Sequence, residues 1–147
     1  MYMPAAVHNS ISWLISDHDA RNREYQELMH AYLHLSADRL GASPCYMDIW
    51  RSYIPSMAFG AEGSLALLEA MCAMAALHIA PLQHDSDRGR IRGHEHYGLA
   101  LLHHMQNFDR DMTLLNDAVL ATALIFAHYE VPPYQMLLTE GLEWRNR

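Results

Sequence analysis

Apolar positions recur at steps of three and four along most of the chain, and no stretch alternates long enough to read as a strand. Tyr25, Leu28, Met29, Tyr32 and Leu35 form one such stripe and predict a helix from about Arg21 to Leu40, with Gly41 as its stop. Ser43-Pro44 predicts the cap and first turn of the next helix. That helix carries Tyr46, Ile49, Trp50, Tyr53 and Ile54 on one side until Pro55 ends or kinks it. A third helix runs from about Glu62 to Ala80. A fourth opens at Ser86 and runs to about Phe108, with Leu101, Leu102, Met105 and Phe108 turned inward. Thr113 or Asn116 caps a fifth, which continues through Glu130 and stops at Pro132-Pro133. A short last helix covers Tyr134 to Trp144. The fold class is all-α, with about six helices in a single domain spanning 1–147.

The third and fifth helices lack a polar face. The third contains LLEAMCAMAALHIAP (Leu67–Pro81), whose only polar side chains are Glu69 and His78. Helices apolar all round are buried on most sides, so these two are the expected centre. The rest of a chain this short covers them, or dimerisation completes the fold. No membrane span is expected, because a span needs about 20 apolar residues. This stretch is bounded by Gly60, Glu62 and Gly63 before it and by Pro81 and His84–Asp87 after it.

Composition narrows the chemistry. Acids outnumber bases 17 to 10, for a formal charge of −7, and every base is Arg. Without Lys there is no Schiff-base chemistry and no Walker-type phosphate loop. An acidic chain is a poor ligand for DNA phosphates. Cys45 and Cys72 have no zinc-site spacing and read as buried thiols in an intracellular protein, cytoplasmic or nuclear. The N-terminus lacks the basic region of a signal peptide.

Eleven histidines raise the question of a metal. His30 and His34 share a helix face at i, i+4, but no Glu adjoins His30 as the zinc-protease pattern requires. His96, His103 and His104 lie near one face and read better as a solvated or hydrogen-bonded face than as a metal site. No metal and no cofactor is expected. Nor does the sequence hold a nucleophile elbow or a Gly-rich phosphate cradle. Glu69 and His78 are about 900° of helix apart and face opposite ways. Glu69 reads first as a surface acid near a helix N-terminus and alternatively as a buried carboxyl of raised pKa. His78 reads first as a ring bonded to nearby carbonyls and alternatively as an anchor at a pocket mouth. Met71 and Met74 fall on the side of His78, and Cys72 on the side of Glu69. Trp50, Tyr53, Met57, Phe59, Met71, Met74, Met105, Phe126 and Tyr129 suit an ordinary core. With Glu69 and His78, all but Tyr129 form the candidate ligand-binding set for an apolar pocket.

Four runs then occur in a suggestive order: ELMHAYLHLSADRL, IWRSYIPSMAFGAEGSLALLEAMCAMAALHIA, HEHYGLALLHHMQNFD and NDAVLATALIFAHYE. They place His30 to Tyr32, Trp50 to Phe59, Ala76 to Ala80, His96 to Ala100 and Asn116 to Leu124 as short motifs. In this order they resemble the helical regulatory domain of fungal-specific transcription factors, most closely the sterol-uptake-control subgroup. The resemblance is strongest over 27–130. It implies an all-α domain able to hold a hydrophobic ligand such as a sterol. The family's six-cysteine zinc cluster is missing, so direct DNA binding is not implied. The chain also stops at Arg147, short of the family's usual length, which implies a truncated domain.

Three functions follow as expectations. One is a lipophile-binding pocket protein, for a sterol, terpenoid or polyketide, repurposed as a cofactor-free cyclase or isomerase in specialised metabolism. Such an enzyme would hold its substrate in a near-attack conformer. Another is a non-DNA-binding regulatory fragment that signals by contact. The last is a dimerisation module without a ligand. A start at Met1 with no DNA-binding region ahead of it tilts the expectation toward the first.

Overall fold

Five helices form where apolar residues recur at helical spacing. The computed structural model describes residues 19–41, 44–60, 64–110 and 116–130, and none of these lies in a strand. Helix α1 covers 19–40, α2 covers 44–59, α3 is Leu65–Ile79, α4 is Ser86–Arg110 and α5 is Asp117–Glu130. The fold is therefore all-α. The expected helix over Tyr134 to Trp144, and the stops and caps at Thr113, Ser43 and Pro132, lie outside the described residues.

The helix ends follow side-chain chemistry. Ser64 Oγ accepts from Leu67 N–H at 3.2 Å and starts α3. Asn116 Oδ1 accepts from Val119 N–H at 2.9 Å and starts α5. The cap of α4 is Asp85 rather than the expected Ser86, since its Oδ1 accepts from Arg88 N–H at 3.1 Å. A carboxylate there also meets the positive end of the helix dipole. Gly41 ends α1 with φ −68°, so it does not supply a left-handed turn. It supplies space, because a Cβ there would sit 3.0 Å from Met47 Cγ.

Two widened turns reshape α1 and α2. Residues Tyr32–Ser36 and Ile49–Tyr53 are π-helical; Ala37 N–H reaches Tyr32 O, and Ile54 N–H reaches Ile49 O. The second of these turns precedes Pro55, and the helix continues to Phe59 instead of ending. Proline lacks the N–H of a regular ladder, and a local shift of the ladder accommodates it. The same shift breaks the expected stripe on α2. Trp50 and Ile54 are buried, whereas Tyr46, Ile49 and Tyr53 are exposed.

Helix α3 is the centre and packs against α1, α2, α4 and α5. Ten of its residues are buried, Ala66, Leu67 and Glu69 through Ala76. Fully buried Leu67, Met71 and Met74, with Leu28 and Ile125 from neighbouring helices, each contribute roughly 1.5–3 kcal/mol of transfer free energy. Leu65–Leu82 is long and apolar enough to pass as a membrane span by length and composition, and 61% of it is buried inside the fold as a core helix would be.

Small residues decide which side of α4 meets α3. Gly89, Gly93, His96 and Ala100 are buried, one stripe at steps of four, three and four. A Cβ on Gly93 would already touch Ala73 O at 3.4 Å and Ala76 Cβ at 3.6 Å. The expected inward set therefore turns out wrong. Leu101, Leu102, Met105 and Phe108 are all exposed, because the small residues bring the opposite side of the helix onto α3. Helix α5 buries Ala121, Thr122 and Ile125 but exposes Leu120 and Leu124, so the described residues cover it on one side.

Candidate functional site

Apart from Thr122, which bonds Ala118 O within α5, the buried polar side chains among the described residues gather at two places on α3, on opposite sides of it. At the first, Glu69 lies within the core. Tyr25 from α1 donates its hydroxyl proton to Glu69 Oε1. His96 from α4 sets Nδ1 2.5 Å from Glu69 Oε2 and Nε2 3.2 Å from Glu24 Oε1 on α1. Arg92, one turn before His96, holds Nε 3.8 Å from the same Glu24 oxygen. The ring of Tyr25 meets the His96 ring edge-on, with centroids 5.4 Å apart. One imidazole thus joins two carboxylates from two helices.

The electrostatics follow from that placement. Burial works to lower the pKa of His96, but its bonds to Glu69 and Glu24 outweigh burial and raise it above the ordinary imidazole value. Burial and the bond to Glu69 push the Tyr25 hydroxyl up. Burial and the nearby Glu69 also push the Cys72 thiol up, so it is a buried structural thiol and not a nucleophile. The first expectation for Glu69, a surface acid, is overturned. Glu69 sits where α1 and α4 both close on α3, and their partners make its burial affordable.

At the second place, His78 sets Nδ1 2.8 Å from Ser36 Oγ in the π turn of α1. Its partner is thus a hydroxyl rather than the expected carbonyls. Burial, then the charge of Arg39, lowers its pKa to about 4. A serine beside a neutral imidazole has the outline of a nucleophilic dyad. However, Ser36 has no exposure, and the charged neighbour of His78 is a cation instead of an orienting carboxylate. This pair ties α1 to α3 and offers a substrate no approach. Nearby, the Tyr32 hydroxyl is buried with no hydrogen-bond partner among the described residues.

Among the described residues an open groove of about 490 Å³ is lined by Tyr53, Met57, Gly60, Asn116, Asp117 and Ala118. Tyr53 donates to Asp117 Oδ2 at 2.7 Å across it, joining α2 to α5. Among the described residues no three His, Cys, Asp or Glu side chains gather as metal ligands could. His30 and His34 lie side by side on the exposed face of α1, with ring centroids 4.3 Å apart.

Of the ligand-binding set expected from sequence, only Tyr53 and Met57 line this groove together. Met71 and Met74 are core residues of α3, and Trp50 is buried with its ring edge-on to His128 at 5.7 Å. Phe59 and Met105 are exposed. Phe126 is half-buried among Tyr97 and His104 between α4 and α5. Glu69 and His78 lie in the two separate polar clusters. Sequence reasoning missed Tyr25 and His96 as partners of Glu69, and Glu24 as the second partner of His96. Two signals pointed to them: Tyr25 heads the inward stripe of α1, and His96 shares the small-residue stripe Gly89, Gly93 and Ala100.

Comparison with known proteins bears on what this arrangement serves. No family model matches the chain. Over 87 residues, 58% of its length, it is 33% identical to a Zn(2)-C6 fungal-type transcription factor of Gibberella zeae. The chain is similar to a fungal-type transcription factor. The matched part is 17% of that protein, so the chain corresponds to a small portion of its relative. No solved structure matches. The similarity supports a relation to fungal transcription factors and is compatible with a regulatory portion of one.

Proposed function

We propose that this chain is a regulatory module of the fungal transcription-factor kind, acting inside the cell, in or near the nucleus, by contact with another macromolecule. The observation that carries it is the similarity to a fungal-type transcription factor, and the pairing at the two polar clusters on α3 fits it. Tyr25, Glu69, His96 and Glu24 bond to one another, and His78 bonds to Ser36. A cyclase needs polar groups aimed into a chamber that excludes water. The groove at Tyr53 and Met57 is open to solvent, and the paired groups lie away from it. Among the described residues, α2, α4 and α5 expose apolar side chains that a partner can contact.

The test fuses the full chain to an unrelated DNA-binding domain in a fungal host carrying the matching reporter. A several-fold rise or fall in reporter output against the DNA-binding domain alone is expected. Unchanged output at equal protein level would overturn the reading. A second reading, a lipophilic small molecule held by the chain, is favoured by one observation: Tyr53 and Met57 both line the groove. It expects a thermal shift with terpenoids or sterols that Met57→Ser removes, and no shift with any of them sinks it.

A further inference from the structure

We propose that His30 and His34 form an open two-histidine site for a divalent transition-metal ion of the zinc class on the outer face of α1. The site is separate from the groove above and independent of the regulatory reading. Both residues are exposed, and their ring centroids lie 4.3 Å apart. The backbone brings them that close. A regular α-helix advances about 100° per residue and so offsets residues i and i+4 by about 40°. Here His34 falls inside the π turn Tyr32–Ser36, which the bond from Ala37 N–H to Tyr32 O closes. A wider turn advances less per residue, so the offset shrinks and His34 stands over His30 along the helix axis. Such π turns within α-helices occur frequently at functional sites.

The internal hydrogen bonds use other histidines. His78 bonds to Ser36, His94 to Tyr129, His96 to Glu69 and Glu24, and His128 to Leu124 O. His30 and His34 instead face each other at the surface. A neutral imidazole offers one nitrogen lone pair. Imidazole suits Zn²⁺, Cu²⁺ and Ni²⁺, whereas Mg²⁺ and Ca²⁺ take oxygen ligands. Two imidazoles bound at about 2.1 Å and at a right angle to one ion hold their ring centres about 4.5 Å apart. The rings at 4.3 Å reach that arrangement by a small side-chain rotation. Glu27, exposed one turn before His30, and the chain charge of −7 favour a cation on this face. Among the described residues no third His, Cys, Asp or Glu joins the pair. A four-coordinate ion held there keeps two positions for water or for a ligand from another molecule. The site is thus an open attachment point and not a closed structural zinc, and it does not depend on the Glu that the zinc-protease pattern places beside its first His.

The experiment titrates the full chain with ZnCl₂ in a non-chelating buffer at neutral pH and follows the heat. Saturable binding is expected. His30→Ala and His34→Ala should each weaken it by about tenfold or more, because losing one ring turns a chelate into a single contact. Both positions are exposed, so the variants should keep the helical circular dichroism of the unaltered chain, and His34→Gln repeats the test with a side chain closer in size. His84→Ala, at an exposed histidine outside α1, should bind zinc as the unaltered chain does. MgCl₂ should give no binding heat. Zinc should raise the melting temperature of the unaltered chain and of neither α1 variant. With Cu²⁺ as the probe, electron paramagnetic resonance should show two coordinated imidazole nitrogens, and fewer after either substitution. Zinc binding undiminished in His30→Ala and His34→Ala places the ion elsewhere and overturns the inference. No saturable zinc binding overturns it as well, and so does magnesium bound as tightly as zinc. The reporter response can take either value without bearing on this site, so its failure and that of the regulatory reading are told apart.

Discussion

Replacing His96 by Ala strikes the one group that answers two buried or half-buried carboxylates. Glu69 would keep Tyr25 but lose the bond at Oε2, and Glu24 Oε1 would keep only the Arg92 Nε at 3.8 Å. Breaking a charge-assisted bond removes roughly 1.5–3 kcal/mol. Leaving a carboxylate buried without its cation brings the total to about 3–5 kcal/mol. His96→Ala is therefore expected to destabilise the chain by about 3–5 kcal/mol in urea unfolding followed by circular dichroism. Glu69→Leu alone, which leaves the imidazole facing Glu24 only, should cost less. The pair Glu69→Leu/His96→Leu removes both polar groups and should recover most of the loss, with a coupling of about 1–3 kcal/mol in the double-mutant cycle. The pH dependence has a defined sign. The pKa of His96 is raised in the folded state, so its stabilising contribution is full below the unfolded value of about 6.5 and is lost as pH rises through the folded value. The difference between wild type and His96→Ala should shrink on the alkaline side. A loss below about 1 kcal/mol, an additive cycle and a flat difference profile would refute the claim that this imidazole holds the three helices together.

His78 has the opposite sign. Its pKa falls to about 4 on folding, so wild-type stability should drop with acidification from about pH 6.5 toward 4, by up to about 1.4 kcal/mol per pH unit. His78→Gln should flatten that slope in the same urea series. Two tyrosines should part company: Tyr25→Phe removes a donor from Glu69 and is expected to cost about 1–3 kcal/mol, whereas Tyr32→Phe removes a buried hydroxyl without a partner and should be neutral or stabilising. Thermal melts of both variants decide this. In α4, Gly98→Ala meets nothing within 4 Å and should stabilise by about 0.8–1 kcal/mol through helix propensity. Gly89→Ala would set its Cβ 3.1 Å from Ala80 Cα and should destabilise despite the better propensity, which the same melts will show.

Much of the secondary structure was legible from spacing alone. The stripe from Tyr25 to Leu35, the Asn116 cap and the unbroken apolar run of α3 are local features, and local features specify helices whatever surrounds them. The opposite facing of Glu69 and His78 was also legible, because it depends only on helical pitch.

What the sequence by itself determined, then, was an all-α chain with α3 at its centre. Tertiary structure decided which sides of the other helices meet α3. Glycine and alanine contribute little to a hydrophobic pattern, yet on α4 they let the backbones approach, so they outweighed the bulkier Leu101, Leu102 and Met105. The π turn before Pro55 altered the phase of α2 in a way a regular period does not contain. Partnership was equally nonlocal. His96 is 27 residues from Glu69 and Tyr25 is 44 from it, and only the packing of α1, α3 and α4 makes them one network. A buried carboxylate is stable only where charge and hydrogen bonds converge on it, and that convergence belongs to the fold.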